Sequence, residues 1–178
     1  MTSVKPPQAK SAPPAAVRAS GPAFTAAAPF DARPSKTLVI YCADGRFRPQ
    51  MHEFLTQHLK LDRPVTITVP GGVSIFMPLV GLAHKLAKGW LDAFSEQITR
   101  IVVIAHEDCA AYRAEHGILE KVVTRVVGRP VGDLQKEHLS RALAQLRVWY
   151  PHASTEVWYA DVVDGAEGER RVAFSQIG

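Results

Sequence analysis

Two short runs hold both cysteines of the chain: Cys42-Ala-Asp44-Gly-Arg46 and His106-Glu-Asp108-Cys109. Each follows an apolar run, Thr37 to Tyr41 or Ile101 to Ala105, that reads as a buried strand. In a parallel α/β sheet, loops at the carboxyl ends of neighbouring strands open onto one crevice. Two thiolates and one imidazole meeting there are three of the four ligands zinc takes, and the open fourth position means chemistry on water. Neither run is specific alone. Cysteine is often buried for packing, and a histidine at a strand end more often bonds to backbone. Their joint occurrence after two strands of one sheet, using every cysteine, carries the metal reading.

The first run holds more than a thiol. Residues two apart in an extended stretch project to the same side, so Cys42, Asp44 and Arg46 line one wall of the crevice. A guanidinium forked on a carboxylate fixes it and keeps it ionised. The plain alternative is a structural cysteine beside a surface ion pair. In the second run Asp108 reads as a turn former.

The elements that position these loops follow from periodicity. Phe47, Met51, Phe54, Leu55, His58 and Leu59 recur at helical spacing after the first run. Val65 to Val69 is a second, β-branched strand ended by Pro70-Gly71-Gly72. Helices are expected over Leu79 to Phe94 and over Ala114 to Val126. A third starts near Asp133, read as its N-cap, and runs to Tyr150-Pro151. Thr155 to Val163 is a fourth strand, and Arg171 to Ile177 leaves room for a short antiparallel partner at the sheet edge. The fold class is therefore α/β, with a mostly parallel four-stranded core sheet flanked by helices. Trp90, Trp149 and Trp158 are assigned to packing.

Residues 1–34 form a separate stretch. Seven prolines among Ala and Ser prevent a sustained helix or ladder there, so this is read as a disordered tail or extended arm before a zinc domain over 35–178. Phe24 and Phe30 are its large aromatics. The net charge of +4 hints at an acidic partner, but Lys5, Lys10 and Arg18 lie in the first 30 residues, which contain no Asp or Glu. No segment interleaves arginine with aromatics, so no nucleic-acid partner is expected. No run approaches the roughly 18 apolar residues of a membrane span. Two cysteines without an export signal argue against a disulfide framework and place the chain in the cytoplasm.

The pair of loops resembles the β-class carbonic anhydrases, which carry Cys-x-Asp-x-Arg after the first core strand and His-x-x-Cys after a later one. The likeness spans about residues 36–165 and includes Gly71-Gly72 and the strand and turn from Tyr159 to Gly165. It implies one zinc per chain on Cys42, His106 and Cys109, and reversible hydration of carbon dioxide to bicarbonate through zinc-bound hydroxide. Asp44 would orient that hydroxide, and Arg46 would hold Asp44. If Arg46 swings away, Asp44 becomes a fourth ligand and closes the site. The resemblance also implies a homodimer or higher homo-oligomer, weakly supported by the apolar stretch Met77 to Val80. With two thiolates on the metal the bound water stays less acidic than on three histidines, so activity rises on a basic limb. Tyr112, His116 and His84 are candidate proton relays, each more often a packing or surface residue. The chain departs from the family in Gly45 where Ser is usual, in Ala110 and Ala111 where glycines are usual, and in the proline-rich tail. These differences bear on substrate size and activity more than on metal binding.

Three other readings stand beside this one. The same site could hydrolyse carbon disulfide or carbonyl sulfide. A site closed by Asp44 would make the chain a non-catalytic zinc scaffold or regulatory protein. A redox pair of Cys42 with Cys109 is disfavoured, because the two lie on separate loops without Cys-x-x-Cys spacing and would leave His106 no task.

Overall fold

Aliphatic runs without interruption are what strands buried on both faces require. In the computed structural model, which describes residues 24–76, 89, 92, 97–113 and 131–177, such runs form the centre of a five-stranded sheet of order β2-β1-β3-β4-β5. The strands are β1 (Thr37–Cys42), β2 (Val65–Val69), β3 (Arg100–His106), β4 (Ser154–Asp164) and β5 (Arg170–Ile177). The first four are parallel; β5 pairs antiparallel with β4 along its whole length, from Val157 opposite Ile177 to Asp164 opposite Arg170. The optional edge partner is thus a full strand. Central β1 and β3 are buried almost throughout, whereas edge strand β2 alternates half-buried with exposed residues.

Period-two alternation divides the strand residues between two cores. Leu38, Ile40, Ile101, Val103, Val157 and Tyr159 face one side, which is covered by Leu139, Ala142 and Leu146 of α2 (Val131–Trp149) and by a 3₁₀ turn over Gly72–Phe76. Val39, Val102, Ile104 and Trp158 face the other, under Phe47, Met51, Phe54 and Leu55. Those four lie on one continuous helical stretch: a 3₁₀ turn over Gly45–Phe47, α1 (Arg48–Glu53) and a π turn over Phe54–His58. The π turn is closed by the Leu59 N–H donating to the Phe54 carbonyl at 3.0 Å. The wider turn carries His58 off the apolar stripe on which its spacing had placed it. It is exposed, yet still stacks on Phe54 at 5.2 Å.

One sequence expectation needs adjustment. Asp133 lies inside α2 rather than capping it, since Val131 and Gly132 are already helical. The helix over Leu79–Phe94 is described only at Gly89 and Asp92, both helical; the Ala114–Val126 helix, Met77–Val80, Trp90, His84 and His116 lie outside the described residues. Trp149 and Trp158 do pack, on Phe76 at 5.9 Å and on Phe54 at 5.0 Å. The described residues belong to two units, 1–33 and 34–178. Within the first, Phe24 and Phe30 are 84% and 92% exposed, and Arg33 forks Asp31. No helix among the described residues is long and apolar enough to cross a membrane.

One ion pair ties β3 to β4. Arg100 Nε and Nη2 donate to the Glu156 carboxylate at 2.7 and 3.1 Å. The guanidinium holds that carboxyl below its ordinary range, against the opposing effect of burial. A depressed carboxyl stabilises the fold above its unfolded-chain value of about 4.3, and the contribution is lost as pH falls through the folded value. Arg100→Gln is therefore expected to cost about 1 kcal/mol at neutral pH. The difference from wild type should close below about pH 4. Urea midpoints measured across that range check it.

Candidate metal centre

Parallel pairing puts the carboxyl ends of β1 and β3 side by side: Tyr41 lies opposite Ile104, and each strand runs out just beyond, at Cys42 and His106. The loop after β3 is pinned to β4 by the Glu107 N–H donating to the Ala160 carbonyl at 3.0 Å. Phe47 packs on the His106 ring at 4.2 Å. The result is a buried cluster in which one ligand atom each from Cys42, His106 and Cys109 lies within 4.8 Å of the others. Among the described residues it is the one grouping of this kind.

The donor set fits zinc. Two sulfurs about 2.3 Å from one ion at a tetrahedral angle are about 3.8 Å apart; the two Sγ atoms here are 3.6 Å apart. His106 Nδ1 is 2.8 Å from the Glu107 carbonyl oxygen, which can only accept, so Nδ1 carries the proton and Nε2 keeps its lone pair. That Nε2 is buried without a hydrogen-bond partner. An orphaned buried nitrogen costs stability unless a ligand satisfies it, and a second ring nitrogen tied to a carbonyl is the usual support of a metal-bound histidine.

Backbone amides also favour thiolates. The N–H groups of Asp44 and Gly71 point at the Cys42 sulfur, and that of Tyr112 at the Cys109 sulfur. One proton shared between the two sulfurs splits the pair: the Cys42 hydrogen bond lowers the Cys109 thiol, while Cys42 is pushed up by Cys109 and by burial. A metal ion takes over the role of that shared proton.

Asp44 and Arg46 stand beside the cluster. Arg46 Nε is 3.1 Å from both Asp44 carboxylate oxygens, and Nη2 is 2.7 Å from Oδ2. The Arg46 backbone N–H adds a bond to Oδ1 at 3.0 Å. The fork brings the Asp44 carboxyl down to about 2, against the effect of burial. In turn Asp44 and then Asp108 raise the Arg46 pKa. A cleft of about 570 Å³ opens here, with Ala43, Pro70, Ala110 and Ala111 as its apolar lining. A Cβ at Gly45 would meet nothing within 4 Å, so the glycine in place of serine leaves the wall's packing unchanged.

Gly72 is different. Its φ is +54°, and an added Cβ would sit 3.1 Å from the Cys42 backbone nitrogen and 3.3 Å from the Tyr41 carbonyl carbon. The turn after β2 thus rests directly on the backbone that presents Cys42. Gly72→Ala is expected to cost about 1–3 kcal/mol through the left-handed backbone and this contact. Urea denaturation reads the loss, and zinc affinity should fall with it.

All five residues read from the two loops meet at this site. Three groups were not read from sequence as parts of it. Asp108 accepts from Arg46 Nη1 at 2.9 Å, and Arg113 Nη1 lies 2.5 Å from the same carboxylate. His138, on α2, has Nδ1 3.0 Å from the hydroxyl oxygen of buried Tyr112. A signal for the first existed: Arg46 has more donors than one carboxylate can use, and Asp108 is an acid in the facing loop. Nothing local could have paired Tyr112 with a residue 26 positions away.

The chain is similar to solved carbonic anhydrases. Isoform I of the β-carbonic anhydrase from the protozoan Trichomonas vaginalis shares 12% identity, over 82% of this chain and 86% of that one, with a TM-score of 0.46. The Streptococcus mutans carbonic anhydrase shares 17%, over 83% and 87%, with a TM-score of 0.48. That of Glaciozyma antarctica shares 18%, over 74% and 79%, with a TM-score of 0.41. No protein-family model and no curated protein sequence matches the chain.

Proposed function

We propose that this chain is a zinc-dependent carbonic anhydrase that interconverts carbon dioxide and bicarbonate. The observation that carries the reading is the convergence of Cys42, His106 and Cys109 ligand atoms within 4.8 Å, in a loop wall that also holds Asp44. Zinc in such a site supplies the Lewis acidity that makes water a nucleophile near neutral pH. The chain's own residues do the rest. His106 Nε2 and the two sulfurs hold the ion. Asp44, ionised throughout the neutral range, accepts a hydrogen bond from the attacking water and so aims its lone pair. Arg46 fixes Asp44 by the fork. The methyl groups of Ala43, Ala110 and Ala111 and the Pro70 ring suit a small uncharged substrate and bind no charged product tightly.

That lining favours a second reading on the same chemistry, hydrolysis of carbon disulfide or carbonyl sulfide, which are also small, linear and apolar. The scaffold reading needs Asp44 on the metal, whereas the carboxylate is engaged by Arg46. The proposal carries with it one zinc per chain, a homodimer or higher homo-oligomer, and a cytoplasmic setting. Metal analysis with gel filtration reads the first two. Stopped-flow hydration of carbon dioxide by the zinc-loaded protein tests the activity. Turnover that rises with pH supports it, and hydration at the background rate overturns it in favour of the sulfur substrates or the scaffold.

A further inference from the structure

Arg46 is held from two sides. Nε and Nη2 reach Asp44; on the far side, Nη1 donates to Asp108 Oδ2 at 2.9 Å and Nη2 to the Asp108 carbonyl at 2.8 Å. Asp108 belongs to the other loop, next to Cys109, and its second oxygen lies 2.5 Å from Arg113 Nη1. Charges alternate along Asp44, Arg46, Asp108 and Arg113, tying the loop after β1 to the loop after β3. The Asp108 backbone has φ +52°, a left-handed conformation that Asp and Asn tolerate better than other side chains.

We propose that Asp108 is a positioning residue that keeps Arg46 forked on Asp44 and so keeps the Asp44 carboxylate off a metal held by Cys42, His106 and Cys109. The inference rests on the metal reading above. An ionised carboxylate two residues from a cysteine ligand is itself of a type that zinc binds. Asp44 is shielded, with 11% of its side chain exposed, so the local rival of the metal for its carboxylate is the Arg46 guanidinium. The guanidinium is 50% exposed. A single exposed pair is weak, whereas a network with bidentate geometry is stiffer. Asp108 supplies the second anchor, and Arg113 fixes Asp108. Forming the turn is a separate duty, which asparagine performs equally well.

Cobalt(II) in place of zinc, with azide as the probe, tests this at neutral pH. Asp108→Asn keeps the turn and removes the charge. The variant is expected to bind one cobalt per chain with the wild-type thiolate charge-transfer bands, while its azide affinity falls about fivefold because Asp44 now competes for the open position. Asp44→Asn combined with Asp108→Asn should restore azide binding. Arg113→Gln, a change at an exposed side chain, should shift azide affinity in the same direction by about twofold. In the metal-free protein, the Arg46 Nε–H signal in nitrogen-15 spectra should lose protection from solvent exchange in Asp108→Asn. Wild-type azide affinity in Asp108→Asn, or in Arg113→Gln should the first variant not fold, overturns the proposal. So does a loss that persists in the double variant. A wild-type protein that takes up no cobalt on thiolates fails earlier, before any variant is made, and removes the metal reading together with the inference.

Discussion

Cys109→Ser is expected to lower zinc affinity by more than about 100-fold, beyond the loss seen when only a supporting residue is removed. Serine keeps the shape and most of the burial, but its hydroxyl does not ionise near neutral pH, whereas the Cys109 thiol is already lowered by its hydrogen bond with Cys42. Removing this sulfur also leaves the Tyr112 N–H without its thiolate acceptor. Cys42→Ser and His106→Ala should lose affinity as well, because three ligands are the minimum the cluster offers. Stability should follow. At a thousandfold excess of free zinc over its Kd, the metal adds about 4 kcal/mol to the folded state. A chelator should remove that increment from the wild type and leave Cys109→Ser unchanged. Competition with a zinc chelator, followed by thermal unfolding, measures both. Wild-type affinity in Cys109→Ser would mean that the ion binds elsewhere.

Asp44→Asn separates holding the metal from using it. The amide is nearly isosteric and lies outside the Cys42, His106 and Cys109 group, so zinc content should stay at one per chain. Hydration of carbon dioxide is expected to fall by about 10²–10⁴-fold, the range lost with a group that handles the reacting proton. The Asp44 carboxyl sits at about 2. A folded value depressed this far means ionisation is complete well below neutral pH, so Asp44 contributes no inflection between about pH 6 and 9. Any rise in wild-type rate over that interval comes from another group, and its midpoint should survive in what activity the variant retains. Full activity in Asp44→Asn would remove the orienting role. Loss of zinc together with activity would instead make Asp44 a ligand.

How far the residues alone disclose these features depends on the range over which each is determined. The apolar runs of β1 and β3 needed no tertiary information, because a strand buried on both faces must be aliphatic throughout. Parallel order follows from the helices between strands, and it carries the two loops to one end of the sheet. The meeting of Cys42, His106 and Cys109 was therefore legible: both loops start at the ends of neighbouring strands, and short loops have little freedom. The π turn that moves His58 off the stripe was not legible, because periodicity assumes an unbroken helix. Nor was the place of Asp133 inside α2, since an aspartate suits a helical turn as well as a cap.

The full length of β5 and the second grip on Arg46 belong to tertiary structure alone. A polar-apolar alternation such as that of Arg170–Ile177 suits either an edge strand or a loose end, and only pairing with β4 decides between them. Asp108 looks like a turn residue, and it is one. Its contact with Arg46 spans 62 positions, and that distance in sequence is closed by the register of β1 on β3. Residue types and spacing determined which atoms could bind a metal; the packing of one strand end against another decided which charges stand guard beside it, because long-range contacts are set by the sheet and not by the local chain.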